Sequence, residues 1–134
     1  MIHELVLPPS AYTAMRRHIR RRAPLEACGL LAGRHGLVEL VVGVRNAARS
    51  PVLYSMDPRQ LWHAFEKFDH LGLELLGIYH SHPKGPPDPS PTDINEGLYA
   101  AVQVIWSLQD GSWQANGFWI EAGQVSKVTL KIGS

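Results

Sequence analysis

LELLGIYHSHP, residues 73–83, is the stretch on which the fold depends. The apolar run Leu73–Ser81 is far too short to span a membrane and has the length of a buried β-strand. Residues two apart in a strand point to the same face, so His80 and His82 are expected to project side by side. Five prolines follow within residues 83–91. Because proline fixes φ, they predict a stiff loop directly after the histidine pair.

Three helices are predicted around this strand. Ser10 is expected to cap the first helix, which runs to about Arg22 and ends before Pro24. Asp57 should cap the second, with Pro58 at its first position and Gly72 at its end. A shorter third helix is expected to begin near Ser90 and to end before Val102. The apolar stripe of the second helix is predicted at Leu61, Phe65 and Phe68, with Trp62 and Leu71 as candidate additions.

The remaining apolar segments predict strands. Ala27–Ala32 and Leu37–Val44 flank Gly33–Gly36 and indicate a hairpin. Three later segments are separated by tight glycine turns and predict a β-meander: Val102–Leu108, Trp113–Ile120 and Val125–Ile132. This mixture favours one α+β or α/β domain over residues 1–134, with helices on a curved, largely antiparallel sheet.

Composition excludes several classes of protein. The chain has 134 residues, of which 45% are hydrophobic and 19% charged, as is ordinary for one globular domain. A net charge of +1 argues against nucleic acid as the partner. There is no membrane-spanning run, the N-terminus lacks the order of a signal peptide, and a single cysteine forms no internal disulfide, so the cytoplasm is expected. Five arginines within residues 16–22 indicate either a solvated helix face or a docking patch for an acidic partner.

His80, His82 and Asp93 form a candidate metal site. Two histidines and a carboxylate are a known donor set of catalytic zinc, which keeps its fourth position open. The same donors also accept iron, cobalt or manganese. The alternative for Asp93 is structural, because Ser90 and an acid three residues later are a common helix start. A structural zinc site is less consistent with the sequence, since such sites usually have four ligands with cysteines among them.

Glu26 opens the first predicted strand just ahead of an apolar run. It is either a surface charge at a strand end or a general base beside a metal-activated water. Cys28, two residues on, is expected to share its face if the strand is regular. It is more consistent with a small buried residue than with a nucleophile or a fourth metal ligand.

Together these residues, Glu26 … His80-x-His82-x7-Ser90-x2-Asp93, resemble the JAMM motif of the MPN-plus metalloprotease family. Glu26-x-x-Gly29 is similar to the family's first strand, and residues 77–83 are similar to its metal-binding strand, although Ile78 stands where many relatives have tryptophan. The resemblance implies a cytidine-deaminase-like fold and one Zn²⁺ held by His80, His82 and Asp93. It further implies that Glu26 is the general base for a zinc-activated water and that Ser90 stabilises the oxyanion.

The chain resembles the compact bacterial branch of that family. Members act after the C-terminal Gly-Gly of ubiquitin-like sulfur-carrier proteins, and the Glu-Ala-Cys-Gly and Asn-Ala-x-x-Ser-Pro stretches are most similar to the cysteine-releasing hydrolases. The resemblance therefore implies a sulfur-carrier partner. We expect the protein to be a monomer or a homodimer. Residues 46–57 correspond to a short first insertion, in which Tyr54 and Met56 are candidate contacts for the tail or ordinary core residues. The alternatives are a non-catalytic MPN scaffold and a peptidase of cell-wall or phage peptides.

Overall fold

Seven strands and three helices are present in the computed structural model, which describes residues 1–95 and 99–133. The helices are α1 (Pro9–Arg22), α2 (Pro58–Leu71) and α3 (Pro91–Asn95). The strands are β1 (Glu4–Leu7), β2 (Cys28–Arg34), β3 (Leu37–Val44), β4 (Glu74–His82), β5 (Val102–Gln109), β6 (Ser112–Glu121) and β7 (Gln124–Ile132). The mixture of helices and strands, the hairpin β2–β3 and the meander β5–β6–β7 confirm the predictions. The predicted third helix also covered residues 96–98, which lie outside the described residues.

The strands form one closed sheet in the order β1-β3-β2-β4-β5-β6-β7. Within the described residues, four neighbouring pairs are antiparallel and three are parallel, so the sheet is more mixed than predicted. Closure depends on β1, which pairs in parallel with both β3 and β7. The prediction missed β1 because a four-residue strand is too short to show a clear alternation.

β4 lies between β2 and β5, and both of its faces are covered. Tyr79 belongs to the apolar cluster that includes α1, whereas Ile78 belongs to the cluster that includes α2. This two-sided burial explains why the strand is a continuous apolar run. Gly29 lies opposite Tyr79 on β2, where a Cβ atom would overlap the tyrosine ring. The ring therefore requires glycine in the Glu26-x-x-Gly29 pattern.

The boundaries of α2 confirm the predicted signals. The Asp57 side chain accepts hydrogen bonds from the backbone N–H groups of Arg59 and Gln60, and Gly72 ends the helix with a φ of +69°. The predicted stripe is only partly correct, since Trp62 is 59% exposed and Leu71 is 47% exposed. Ala64 and Phe68 are the buried residues of the helix, and Leu61 and Phe65 pack against them.

The cap predicted for α1 is wrong. The helix begins at Pro9, its N-cap is Pro8, and Ser10 lies within the first turn. Proline at the first helical position has the right φ and no N–H to satisfy, so no serine cap is needed. Ala11, Met15 and Ile19 face the core, and the arginines of residues 16–22 form no ion pair with any described residue. No helix in residues 1–95 or 99–133 has the length and hydropathy of a membrane span.

Candidate metal centre and its pocket

Three side chains converge where β4 ends. His80 and His82 are buried, and their Nε2 atoms are 3.1 Å apart. Oδ2 of Asp93, on α3, is 3.2 Å from His80 Nε2 and 3.1 Å from His82 Nε2. The predicted alternation of the strand thus directs both imidazoles toward the predicted carboxylate.

The start of α3 fixes the position of Asp93. Its Oδ2 accepts a hydrogen bond of 2.8 Å from the Ser90 backbone N–H, and its own N–H donates to Ser90 Oγ at 3.1 Å. The capping pair and the candidate metal site therefore coexist in one arrangement. Because Ser90 Oγ accepts in this pair, its hydroxyl proton remains available to a second partner.

The hydrogen bond of His82 Nδ1 determines whether its Nε2 atom carries a proton or a lone pair. His82 Nδ1 is 2.9 Å from the carbonyl oxygen of Pro86. Because a carbonyl only accepts, Nδ1 carries the proton, and in the neutral ring Nε2 presents a lone pair. That lone pair faces the Asp93 carboxylate and His80 Nε2. Such a cluster requires a proton or a cation at its centre.

A metal ion fits this centre. Donors of a tetrahedral zinc at 2.0–2.1 Å lie ~3.3–3.4 Å apart, close to the separations seen here. Burial works to raise the pKa of Asp93, but its close contacts with the His80 and His82 rings outweigh burial and hold the pKa far below its usual range. Burial also lowers the pKa of His80, which favours the neutral ring that a metal needs. His80 Nδ1 has no hydrogen-bond partner in the described residues, and its ring stacks on Tyr54 at 4.6 Å.

Glu26 is a second acid beside this centre. It precedes β2, is 3% exposed, and has a carboxylate oxygen within 4.8 Å of ligating nitrogens of His80 and His82. Its backbone is held on both sides, since its N–H donates to Ser50 O at 2.8 Å and its carbonyl accepts from Asn46 Nδ2 at 3.1 Å. Burial raises the pKa of Glu26 to about 7, against a smaller opposing effect of His82. The structure therefore brings a buried acid, rather than a surface charge, to the metal centre.

Cys28 lies outside the ligand set. Its thiol is buried and donates to the carbonyl oxygen of Val44 at 3.4 Å. Burial raises the pKa of the thiol to about 12, with a further contribution from Glu26. A thiol that stays protonated is a poor nucleophile and a poor metal ligand, which supports the structural interpretation.

A pocket of about 440 Å³ opens beside the centre. Tyr54 and Met56, the predicted tail contacts, both line it, as do Ser90 and Asp93. Gln103 also lines the pocket and was not predicted, although a glutamine inside the apolar strand Val102–Leu108 was a usable signal. The described residues of the lining are Val52, Leu53, Tyr54, Ser55, Met56, Leu61, Ile78, Ser90, Thr92, Asp93, Asn95, Tyr99 and Gln103.

Asn46 is a second residue that the sequence analysis missed, because only its bonds reveal its role. Its Nδ2 donates to the carbonyl oxygens of Glu26 and Leu53, and its Oδ1 accepts from the N–H groups of Ala48 and Ser55. The Asn46 side chain thus links the pocket-lining segment at Leu53 to the backbone of Glu26.

Residues 8–119 match the family described as prokaryotic homologues of the JAB domain. The chain belongs to this family. It is 45% identical over 78% of its length to a probable TtuB-protein conjugate cleaving protease of Thermus thermophilus, of which the match covers 72%. It is 37% identical over 81% of its length to a desampylase of Pyrococcus furiosus, covering 76% of that protein. It is also 38% identical over 69% of its length to a CysO-cysteine peptidase of Mycobacterium tuberculosis, covering 65% of it.

Two solved structures resemble this chain in fold. The solution structure of a Desulfitobacterium hafniense protein matches with a TM-score of 0.86 and 31% identity, covering 96% of this chain and 92% of that one. The crystal structure of a JAB1/MPN domain protein from Archaeoglobus fulgidus matches with a TM-score of 0.58 and 15% identity, covering 95% and 98%. The second likeness is one of fold alone.

Proposed function

We propose that this protein is a zinc-dependent metallohydrolase that cleaves a peptide or isopeptide bond after the C-terminal Gly-Gly of a ubiquitin-like or sulfur-carrier protein. The observation that carries the proposal is the convergence of two imidazole nitrogens and one carboxylate oxygen, 3.1–3.2 Å apart, beside a pocket and a separate buried acid. Family membership and the names of three relatives, all of them protein-cleaving enzymes, support it.

His80, His82 and Asp93 would hold the zinc ion. When bound, zinc supplies the Lewis acidity that makes water nucleophilic near neutral pH. Neighbouring groups of the chain orient these three ligands. The hydrogen bond from His82 Nδ1 to Pro86 O keeps Nε2 free for the metal, and the Ser90 N–H orients the Asp93 carboxylate.

Glu26 is proposed as the general base and, after bond cleavage, as the acid. Its carboxylate has a ligand oxygen within 4.8 Å of nitrogens of both histidines but forms no direct hydrogen bond with either, and a water molecule is proposed to bridge them. Because burial raises the pKa of Glu26, its carboxylate is suited to accept a proton from that water and to deliver it to the leaving amine. The bonds to Ser50 and Asn46 hold the backbone of Glu26, so the carboxylate needs little reorganisation.

Ser90 is proposed to stabilise the oxyanion of the tetrahedral intermediate. Its Oγ accepts from the Asp93 N–H, so its hydroxyl proton can point to the substrate carbonyl. Ser90 lines the pocket, which supports contact with the reacting bond.

The pocket wall at residues 52–56 is proposed to receive the Gly-Gly tail. Glycines lie extended in a narrow groove and pair through main-chain hydrogen bonds. Tyr54 and Met56 are the proposed tail contacts, and the stacking of Tyr54 on His80 connects this wall to the metal centre. The leaving group is either an amine of a protein conjugate or a cysteine, because relatives of both kinds are similar to this chain.

We infer a cytidine-deaminase-like arrangement of one domain over residues 1–134. The partner is a sulfur-carrier protein rather than nucleic acid or a membrane, the enzyme is a monomer or a homodimer, and it acts in the cytoplasm. The near-neutral net charge of +1 supports the choice of a protein partner.

Intact-mass spectrometry of the zinc-loaded protein with a ubiquitin-like sulfur carrier tests this function. The carrier is extended past Gly-Gly by a cysteine, by a short peptide or by an isopeptide-linked lysine. Loss of at least one extension with wild type, and none with Glu26→Gln, is the expected result. No cleavage by a protein that carries zinc would contradict the proposed reaction and favour a binding scaffold.

A further inference from the structure

Gln103 is a buried polar residue whose carboxamide makes no hydrogen bond within the described part of the chain. It is 6% exposed, and its neighbour in the parallel register of β4 and β5 is Ile78. Its carboxamide forms no hydrogen bond with any residue in 1–95 or 99–133, whereas the other glutamine of β5, Gln109, donates to Ser107 Oγ at 3.1 Å. Its amide atoms are accessible from the pocket rather than sealed in the core. No hydrogen bond among the described residues accounts for a polar side chain at this position.

The side chain of Gln103 lines the pocket near the metal centre. Its neighbour Ile78 precedes His80 by two residues, which puts Gln103 about 6.6 Å along the sheet from the level of His80. An extended peptide covers ~3.3–3.6 Å per residue. A peptide extended along β4, with its cleaved bond at the metal centre, would therefore have a main-chain amide beside Gln103 about two residues from that bond.

The residues that line the pocket favour a neutral ligand group beside Gln103. Among the described residues, the pocket's lining includes no lysine, arginine or histidine, and Asp93 is the charged residue. A carboxamide offers one donor and one acceptor side by side, which matches the C=O and N–H of a main-chain amide. A carboxylate would find no positively charged side chain among these described residues.

We propose that Gln103 is a substrate-positioning residue, whose carboxamide hydrogen bonds a main-chain amide of the extended tail that is cleaved. The inference rests on the proposed function, because it takes the tail of a carrier protein as the occupant of the pocket. Gln103 fixes the register of the tail, so that the bond after Gly-Gly reaches the metal centre.

Gln103→Met and Gln109→Met make a matched pair for the test, because methionine has the length of glutamine without its amide. Steady-state cleavage of the extended carrier gives kcat and KM, and thermal denaturation gives the Tm of each zinc-loaded variant. For Gln103→Met we expect a KM about tenfold higher, a kcat within threefold of wild type and a Tm equal to or above wild type. Gln109→Met should leave KM unchanged and lower the Tm slightly.

Each other result overturns the inference. A Gln103→Met protein that fails to fold, or that loses several degrees of Tm, would make Gln103 a structural residue. An unchanged KM in a stable variant would mean that the tail does not contact the amide. Wild-type and Gln109→Met enzymes that cleave no carrier at all would instead overturn the proposed function, and this inference with it.

Discussion

Consecutive residues at the end of β4 point to opposite sides of the sheet, and their polar groups are satisfied differently. On the α1 face, the Tyr79 hydroxyl is 2.7 Å from His18 Nδ1, and Ser81 Oγ accepts from the Ala27 N–H at 2.8 Å. On the metal face, defined by His80 and His82, the Nε2 atoms approach each other and a carboxylate. One strand thus carries buried polar groups of two kinds. The polar groups on the α1 face form hydrogen bonds within the protein and stabilise the fold. Those on the metal face point at one another and form the candidate metal site.

The strongest test of the metal face is Glu26→Gln, which keeps the shape of the side chain and removes the base. We expect zinc binding to persist and turnover of the extended carrier to fall ~10²–10⁴-fold. Metal content and the cleavage rate are measured on the same samples. Glu39→Gln, an exposed glutamate on β3, is the matched control and should cleave at the wild-type rate. A Glu26→Gln rate within threefold of wild type would remove Glu26 from the mechanism.

Ser90→Ala separates oxyanion stabilisation from the holding of Asp93. We expect kcat to fall ~10²–10³-fold, because one donor to the oxyanion is lost, while zinc content stays at the wild-type level. Ser90→Thr keeps a hydroxyl and should recover much of the rate. If Ser90→Ala loses zinc in parallel with activity, the serine acts through its cap on Asp93 instead.

Tyr79→Phe tests the α1 face, where we expect an effect on stability alone. The variant loses the hydrogen bond to His18 and should lower the free energy of unfolding by ~0.5–1.5 kcal/mol, as measured by urea denaturation. Zinc content and kcat should stay within twofold of wild type. A large loss of activity at unchanged stability would show that the two faces are not independent.

The smallest expected effect is a pH dependence at His18. Burial, followed by the charges of Arg22 and Arg21, lowers the pKa of His18 below its ordinary value of 6.5. The unfolded chain therefore binds the proton more readily, so this contribution to stability is complete above pH 6.5 and is lost as the pH falls toward the lowered pKa. His18→Gln should flatten this part of the curve in metal-free protein, measured by urea denaturation between pH 5 and 8. Parallel curves for the two proteins would contradict the assignment.

The sequence was informative where a local pattern determines the structure. The apolar run before His80, the alternation of the two histidines and the Ser90–Asp93 spacing each depend on a few adjacent residues, and the structure has all three. The caps of α2 were predictable for the same reason, since Asp57 and Gly72 satisfy backbone groups within one turn.

What the sequence did not reveal depends on contacts between distant residues. β1 is a strand because β3 and β7 bracket it, and its four residues have no pattern of their own. The role of Asn46 appears only when its bonds to Glu26 and Leu53 are seen. That Gln103 has no hydrogen-bond partner among the described residues is likewise a property of the folded chain, because any glutamine in an apolar strand could have been satisfied by a neighbour.

The metal content of Asp93→Asn tests the central claim most directly. Asparagine keeps the size of the side chain and can still accept from the Ser90 N–H, but it removes the negative charge that faces the two histidines. By native mass spectrometry after zinc loading and dialysis, we expect one zinc ion per chain in wild type and in Tyr79→Phe, and almost none in Asp93→Asn. Equal zinc content in wild type and Asp93→Asn, or none in wild type, would contradict the claim that this face of β4 is built to hold a metal.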